Sequence, residues 1–196
     1  MPKALLIALF LCLFTCRGWS AQPSSPPSEI ELSISPTQDA YMFTISLRNV
    51  SEHDLTVMLG EKCGVGSRGW KRVGIVHYTL ININGAQIGF DDFGLPCSGM
   101  FGVLMQDLRP GESYSYDFDV HNTVVSENEM FFHLLNSGRE LLRIQASADG
   151  QKAIDEWKGT GVDPIKIAKY PIWKGRALSE SVPLAPLHAA QPHSRP

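Results

Sequence analysis

Tyr41-Met42-Phe43-Thr44-Ile45-Ser46-Leu47-Arg48 is the stretch that decides the fold class. Tyr41, Phe43, Ile45 and Leu47 occupy alternate positions, with Met42, Thr44, Ser46 and Arg48 between them. A period of two puts the first set on one side of an extended chain and the second on the other, which predicts a half-buried β-strand. The polar run Asn49-Val50-Ser51-Glu52-His53-Asp54 reads as a turn, after which Leu55, Val57 and Leu59 resume the alternation.

The same pattern extends outward from this strand. Ile30, Leu32 and Ile34 alternate before it. Val76, Tyr78 and Leu80 share one side of a later run, with Ile75, Ile81 and Ile83 on the other. Asn84-Gly85 comes next, a hairpin signal because both residues tolerate positive φ, and residues 86–90 form the return strand. Residues 101–108 are another apolar run. Arg109-Pro110-Gly111-Glu112 is a turn in which Pro fixes φ and Gly takes the left-handed position. Tyr114, Tyr116, Phe118 and Val120 alternate next, then Leu142, Ile144 and Ala146, and residues 177–184 close the series. About eight short strands separated by turns predict an all-β, antiparallel β-sandwich of immunoglobulin or fibronectin type III-like form.

Two segments interrupt the pattern. Ser126-Glu127-Asn128-Glu129 has the form of a capping box, and Gly138 can end the helix that such a box begins, so one short helix is expected near residues 126–135. Residues 149–174 exceed a hairpin connection and read as a long loop insertion, with one helical turn at residues 153–157.

The ends set the compartment. Lys3, the uncharged apolar run at residues 4–14 and the small-residue exit Gly18-Trp19-Ser20-Ala21 have the order of a signal peptide, so residues 1–21 are expected to be removed during export. Leu13-Phe14-Thr15-Cys16 only partly fits a lipoprotein cleavage site, since Phe14 and Thr15 are bulky and Arg17 comes after; a lipid anchor at Cys16 is the lesser alternative to a secreted or periplasmic protein. Residues 22–28 form a Pro/Ser linker, residues 29–184 the domain, and residues 185–196 a tail expected to be disordered. Removal of Lys3 and Arg17 changes the net charge from −3 to −5. No basic stripe exists to follow phosphates, which argues against nucleic acid, and no second apolar run is long enough for an integral span.

Cys12 and Cys16 fall in the signal, leaving Cys63 and Cys97. An even pair in an oxidising compartment points to a disulfide, which over a loop of about 34 residues limits the unfolded chain by roughly 4 kcal/mol at most. Two separate thiols are the alternative.

Three segments taken together carry a resemblance: the strand and turn at residues 43–51, the turn Leu108-Arg109-Pro110-Gly111-Glu112-Ser113-Tyr114, and the strand Leu141-Leu142-Arg143-Ile144-Gln145-Ala146. Their order resembles secreted bacterial immunoglobulin-like or fibronectin-like sandwich proteins of uncharacterised function. It is more distantly similar to the bacterial intracellular proteinase inhibitor family, in which a strand also ends in Asn-x-Ser and a Pro-Gly-Glu turn begins a later strand. The resemblance implies a fold and no reactive residue. The signal peptide, the 149–174 insertion and the cysteine pair depart from the inhibitor pattern.

Catalytic and metal signals are weak. The six histidines include no His-x-His and no helical i, i+4 pair. Asp117, Asp119 and His121 share one side of a strand, a row that is far more often a wet face than a cation site. Asp91-Asp92 lacks the spacing of an EF-hand loop, and Ser98 lacks a nucleophile elbow. Asn49-Val50-Ser51 is a glycosylation sequon in which Asn49 is expected to cap the turn instead. Trp157, Tyr170 and Trp173 are the candidate partner-binding residues, either as a docking surface for protein or glycan or as a hydrophobic lid over the core. The expected function is a non-catalytic binding module without a cofactor. A protease inhibitor-like domain and an enzyme with a dispersed active site are the alternatives.

Overall fold

The computed structural model describes residues 28–39, 41–63, 70–91, 101–120 and 142–184. The expected signal peptide, nearly all of the linker, the helix at 126–135 and the C-terminal tail lie outside these residues. Eleven strands and two helices are described: β1 (Ile30–Pro36), β2 (Met42–Asn49), β3 (Leu55–Cys63), β4 (Trp70–Val73), β5 (Val76–Ile81), β6 (Gln87–Asp91), β7 (Phe101–Leu108), β8 (Ser113–Asp119), β9 (Leu142–Asp149), α1 (Gly150–Gly159), α2 (Pro164–Ile167), β10 (Arg176–Leu178) and β11 (Val182–Leu184). The fold is all-β, and its strands pair antiparallel in three sheets, ordered β1-β2-β8, β4-β3-β7 and β10-β9-β5-β6, with β11 also on β9.

The alternation in β2 translates directly into burial. Phe43, Ile45 and Leu47 are buried, while Thr44 and Ser46 are half-exposed and bond across to Asp117 and Ser115 of β8. β5 places Val76, Tyr78 and Leu80 in the same core, and Ile83 stands in solvent in the turn. The core joins the sheets by aromatic stacking: the Tyr78 ring lies 3.8 Å from that of Phe118 and nearly parallel to it, and the Tyr78 and Tyr116 hydroxyls share a hydrogen bond of 2.7 Å. Both turns read from sequence are present, but at Asn84-Gly85 only the glycine takes positive φ, and the turn is closed by the Gly85 amide donating to the Asn82 carbonyl. Gly85 and Gly111 have φ of +79° and +80°, and the Glu112 amide donates to the Arg109 carbonyl at 2.9 Å.

Asn49 closes the end of β2. Its side-chain amide donates to the Leu108 and His53 carbonyls at 2.9 and 2.8 Å, and its Oδ1 accepts from the Ser51 amide and hydroxyl at 2.9 and 2.7 Å. All donor and acceptor positions of this fully buried amide are thus used. The expected capping role is what the structure shows, and a glycan could be attached only by breaking it.

The sequence reading of residues 149–174 needs correction. The stretch is not a loop with one helical turn; it holds α1 over ten residues and then α2. Asp149 is the reason α1 starts where it does. Its Oδ1 accepts from the Lys152 amide at 2.9 Å, and Ala153, Ile154 and Trp157 then fall on one side of the helix. The last strand is also not continuous. Residues 179–181 face only Gln145 and Ala146 of β9, so one extra residue makes a bulge between β10 and β11. Ser179 bridges the gap: its amide donates to the Ala146 carbonyl and its Oγ accepts from the Ala146 amide, both at 2.9 Å.

Asp149 also accepts from Arg176 Nε at 2.7 Å. The Lys152 amide holds its carboxyl below the usual aspartate range; burial opposes this, and Arg176 adds to the lowering. A carboxyl whose pKa is lower folded than unfolded adds stability above its unfolded pKa and loses it as pH falls through the folded value. Thermal melts of Asp149→Ala at neutral pH are therefore expected to show a loss of about 1 kcal/mol, and the deficit relative to wild type should shrink at acid pH.

Candidate docking segment

β3 explains why residues 149–174 are where they are. Every residue from Leu55 to Gly60 is buried, so this strand is covered on both sides. The chain after α2 supplies part of the cover by pairing with β3 in parallel at Thr56 and Ile172. The Thr56 amide donates to the Pro171 carbonyl and the Trp173 amide to the Thr56 carbonyl, at 3.0 and 2.9 Å. The Thr56 hydroxyl donates to Asp107 at 2.7 Å and receives the Tyr170 amide at 3.2 Å.

The three aromatics chosen from sequence do not form one surface. Trp173 is 1 % exposed and belongs to the core. It is clasped by two glycines: a Cβ on Gly150 would overlap the Trp173 carbonyl oxygen, and one on Gly175 would lie 2.7 Å from Nε1. Trp157 is half-buried against the same core, and Tyr170 is half-buried under the Lys169 ammonium, 4.8 Å from its ring centroid. For Trp173 this is the lid arrangement, with no surface left for a partner.

What the segment does present is aliphatic. Val162, Ile165 and Ile167 are 38 %, 45 % and 58 % exposed within six residues of chain. No sequence argument singled them out. The local fold makes them stand out: Asp163 caps α2 by accepting from the Ile165 amide at 3.2 Å, Pro164 occupies the first helical turn with its side buried, and one turn of helix cannot bury the remainder. Next to this patch in sequence, Lys169 and Tyr170 line a polar recess of about 360 Å³ with Asp107, Arg109 and Glu112. Contact with the Tyr170 side chain raises the Lys169 pKa, and Glu112 accepts from the Arg109 amide at 2.9 Å. The recess carries two acids and two bases and therefore no net charge.

The other candidates are distributed. Asp117 accepts from Thr44 at 2.8 Å on the exposed side of β8, and His121 lies outside the described residues. So do Asp92, Ser98 and Cys97, which leaves the Cys63–Cys97 pairing outside them as well. Among the described residues no group of three His, Cys, Asp or Glu side chains is placed to hold a metal ion, and no helix is long and apolar enough to cross a membrane.

No protein-family model and no curated protein matches this chain. Among solved structures it is similar to a Northeast Structural Genomics Consortium target, at 10 % identity and a TM-score of 0.30 over 86 % of this chain and 92 % of that one. It is also similar to the putative ApaA protein of Bordetella pertussis, at 13 % identity and a TM-score of 0.27 over 81 % and 91 %. A third likeness is to a β-glucuronidase of Bacteroides uniformis, at 12 % identity and a TM-score of 0.23, where 63 % of this chain spans 11 % of that protein. At these values the likenesses say nothing about what the chain does.

Proposed function

We propose that the chain is a secreted or periplasmic β-sandwich domain of immunoglobulin or fibronectin-like form that catalyses no reaction and binds a protein partner through residues 162–170. The observation that carries this reading is the exposed trio Val162, Ile165 and Ile167 on a segment otherwise anchored to the core. Branched aliphatics held on a capped turn offer apolar area at little entropic cost, which suits a protein surface better than a sugar ring. The recess beside Tyr170 supports a glycan as the second reading, because one half-buried ring bordered by charged hydrogen-bonding groups suits a saccharide.

The test uses the purified protein immobilised against the envelope and secreted proteins of its source. The double variant Ile165→Asp, Ile167→Asp should melt like wild type, since both positions are exposed, and should lose at least about tenfold in affinity for the partner that wild type retains. Undiminished capture by the folded variant would move the site elsewhere. Saturable binding to a glycan array that Tyr170→Ala abolishes would instead select the glycan reading.

A further inference from the structure

We propose that the outer edge of β1 is a homodimerisation site at which two copies of this chain pair their β1 strands antiparallel about a twofold axis through Ser33. The hydrogen-bond phase of the β1–β2 pair decides which β1 backbone groups face outward. The Val50 amide donates to the Glu29 carbonyl at 2.9 Å, so Glu29 and Val50 form a bonded pair. In an antiparallel ladder bonded and non-bonded pairs alternate. With the register Ile30↔Asn49 to Pro36↔Phe43, Glu31, Ser33 and Ser35 therefore bond to β2, and the backbone groups of Ile30, Leu32 and Ile34 point away from it. The opposite side of β2 is consistent with this phase, because the Asn49 amide donates to the Glu112 carbonyl on the β8 side.

The three outward residues are not equivalent. Ile30 is covered locally, since the Ser28 hydroxyl donates to its carbonyl at 2.7 Å and accepts from its amide at 3.3 Å. Leu32 and Ile34 have no second backbone partner among the described residues; their side chains lie in the core, at 5 % and 6 % exposure, while their outward backbone groups stand on the edge of the sheet. Apart from Pro36 at its end, β1 is short of the usual guards of an edge strand. It carries only Glu31, which is paired with Arg48, whereas β4 holds Lys71 and Arg72, β8 holds Asp117 and Asp119, and the β10–β11 edge is broken by its bulge. The edge opens onto a groove of about 520 Å³ between β1 and β10, lined by Ile30, Leu32, Val50, Ala177 and Leu178 and bordered by the charged Glu31, Arg176 and Glu180.

The sequence of the edge favours a second copy over other strands. In the twofold register through Ser33, Leu32 of each copy faces Ile34 of the other and exchanges both bonds, which satisfies the unpaired groups on both chains. Glu31 faces Ser35, so no like charges meet. Ile30 faces Pro36, and the pairing stops there in both directions: Ser28 already covers Ile30, and Pro36 has no amide hydrogen to offer. An interface of this kind is isologous, since the same patch serves both copies. It would continue β8-β2-β1 into its counterpart as one sheet.

Ser33 is exposed and meets its own copy as a non-bonded pair, where Cα atoms stand about 4.5 Å apart, within the span of about 4.4–6.8 Å that a disulfide needs. Light scattering on the purified protein should give a dimer mass. Ser33→Lys, which sets two like charges face to face on an otherwise tolerant surface position, should weaken the dimer at least about tenfold with the melting temperature of the monomer retained. Ser33→Cys should give a covalent dimer on mild oxidation, with the position-33 peptide linked to itself, and Ser35→Cys should not, because it faces Glu31. A monomer at all accessible concentrations overturns the proposal. So does a dimer that resists Ser33→Lys and fails to cross-link at position 33, and so does a monomer that dimerises only when residues 22–27 are removed, which would put the chain's own N-terminal segment on this edge.

Discussion

Trp173→Ala is expected to lower the melting temperature by about 10 °C or more, the largest loss from any single aromatic in the 149–174 segment. Removing a fully buried indole costs about 3–5 kcal/mol, and in a domain of this size each kcal/mol is worth roughly 2–4 °C. Collapse cannot refill the site easily. Gly150 and Gly175 press against the ring from two sides, and both are held by the bond from the Gly150 amide to the Gly175 carbonyl at 2.9 Å. Trp173→Phe should recover part of the loss, because it keeps a ring and deletes an Nε1 hydrogen that has no acceptor among the described residues. Gly150→Ala provides an independent check. Within a helix alanine is better than glycine by about 1 kcal/mol, yet here its methyl would overlap the Trp173 carbonyl, so the substitution should destabilise. Thermal melts by circular dichroism measure all three. A near-neutral Trp173→Ala that loses partner binding would return this ring to the docking role.

Asn49→Asp is the second large effect, although it changes one side-chain atom. The replacement removes both donors from a group buried at 0 % exposure and points a carboxylate at the Leu108 and His53 carbonyls. Leaving two acceptors unpaired and burying a charge should cost roughly 3 kcal/mol or more at neutral pH. The variant carries its own signature. The new carboxyl ionises less readily folded than unfolded, so its stability is highest below the ordinary aspartate range and falls as pH rises through the raised folded pKa. Asn49→Ala should be destabilised to a similar extent with no such pH dependence. Urea unfolding at pH 4 and pH 8 separates the two. Equal stability of Asn49→Asp and wild type at pH 8 would mean that the amide is not the tie between β2 and β7.

The sequence reveals those parts of the fold in which local pattern and burial agree. Strand β2, the Val76-Tyr78-Leu80 side of β5, the Asn84-Gly85 and Pro110-Gly111 turns and the alternation of β9 are such cases, since a period of two or a glycine at positive φ is set within a few residues. What escapes is whatever depends on a distant partner. Part of the cover over β3 comes from the pairing of Thr56 with Ile172, far along the chain, and no periodicity records it. α1 begins with Gly150, a poor helix former kept for its contact with Trp173, so propensity hides a helix that the Asp149 cap and the Ala153, Ile154, Trp157 spacing could have suggested. The segment proposed for docking is legible in place and not in residues. Its length draws attention to it, and its aromatics look like anchors, but burial reserves Trp173 for the core and leaves Val162, Ile165 and Ile167 as the exposed side chains.

The sheet order bears on when this chain can fold. Of the pairings around the core, β1–β2 and β5–β6 join neighbours, whereas β2 must find β8, with Thr44 and Asp117 separated by 73 residues, and β5 must find β9. Contacts of such separation slow folding, because loop closure is unfavourable before the contact stabilises it. The middle strand of the five-stranded sheet, the helix after it and the residues clasping Trp173 all come from the last third of the described chain. The strands of β4-β3-β7 and β1-β2-β8 are all made by Asp119, but the β10-β9-β5-β6 sheet and the clasp on Trp173 must wait for the last third, so the nascent chain is expected to lack a closed core until synthesis is nearly finished.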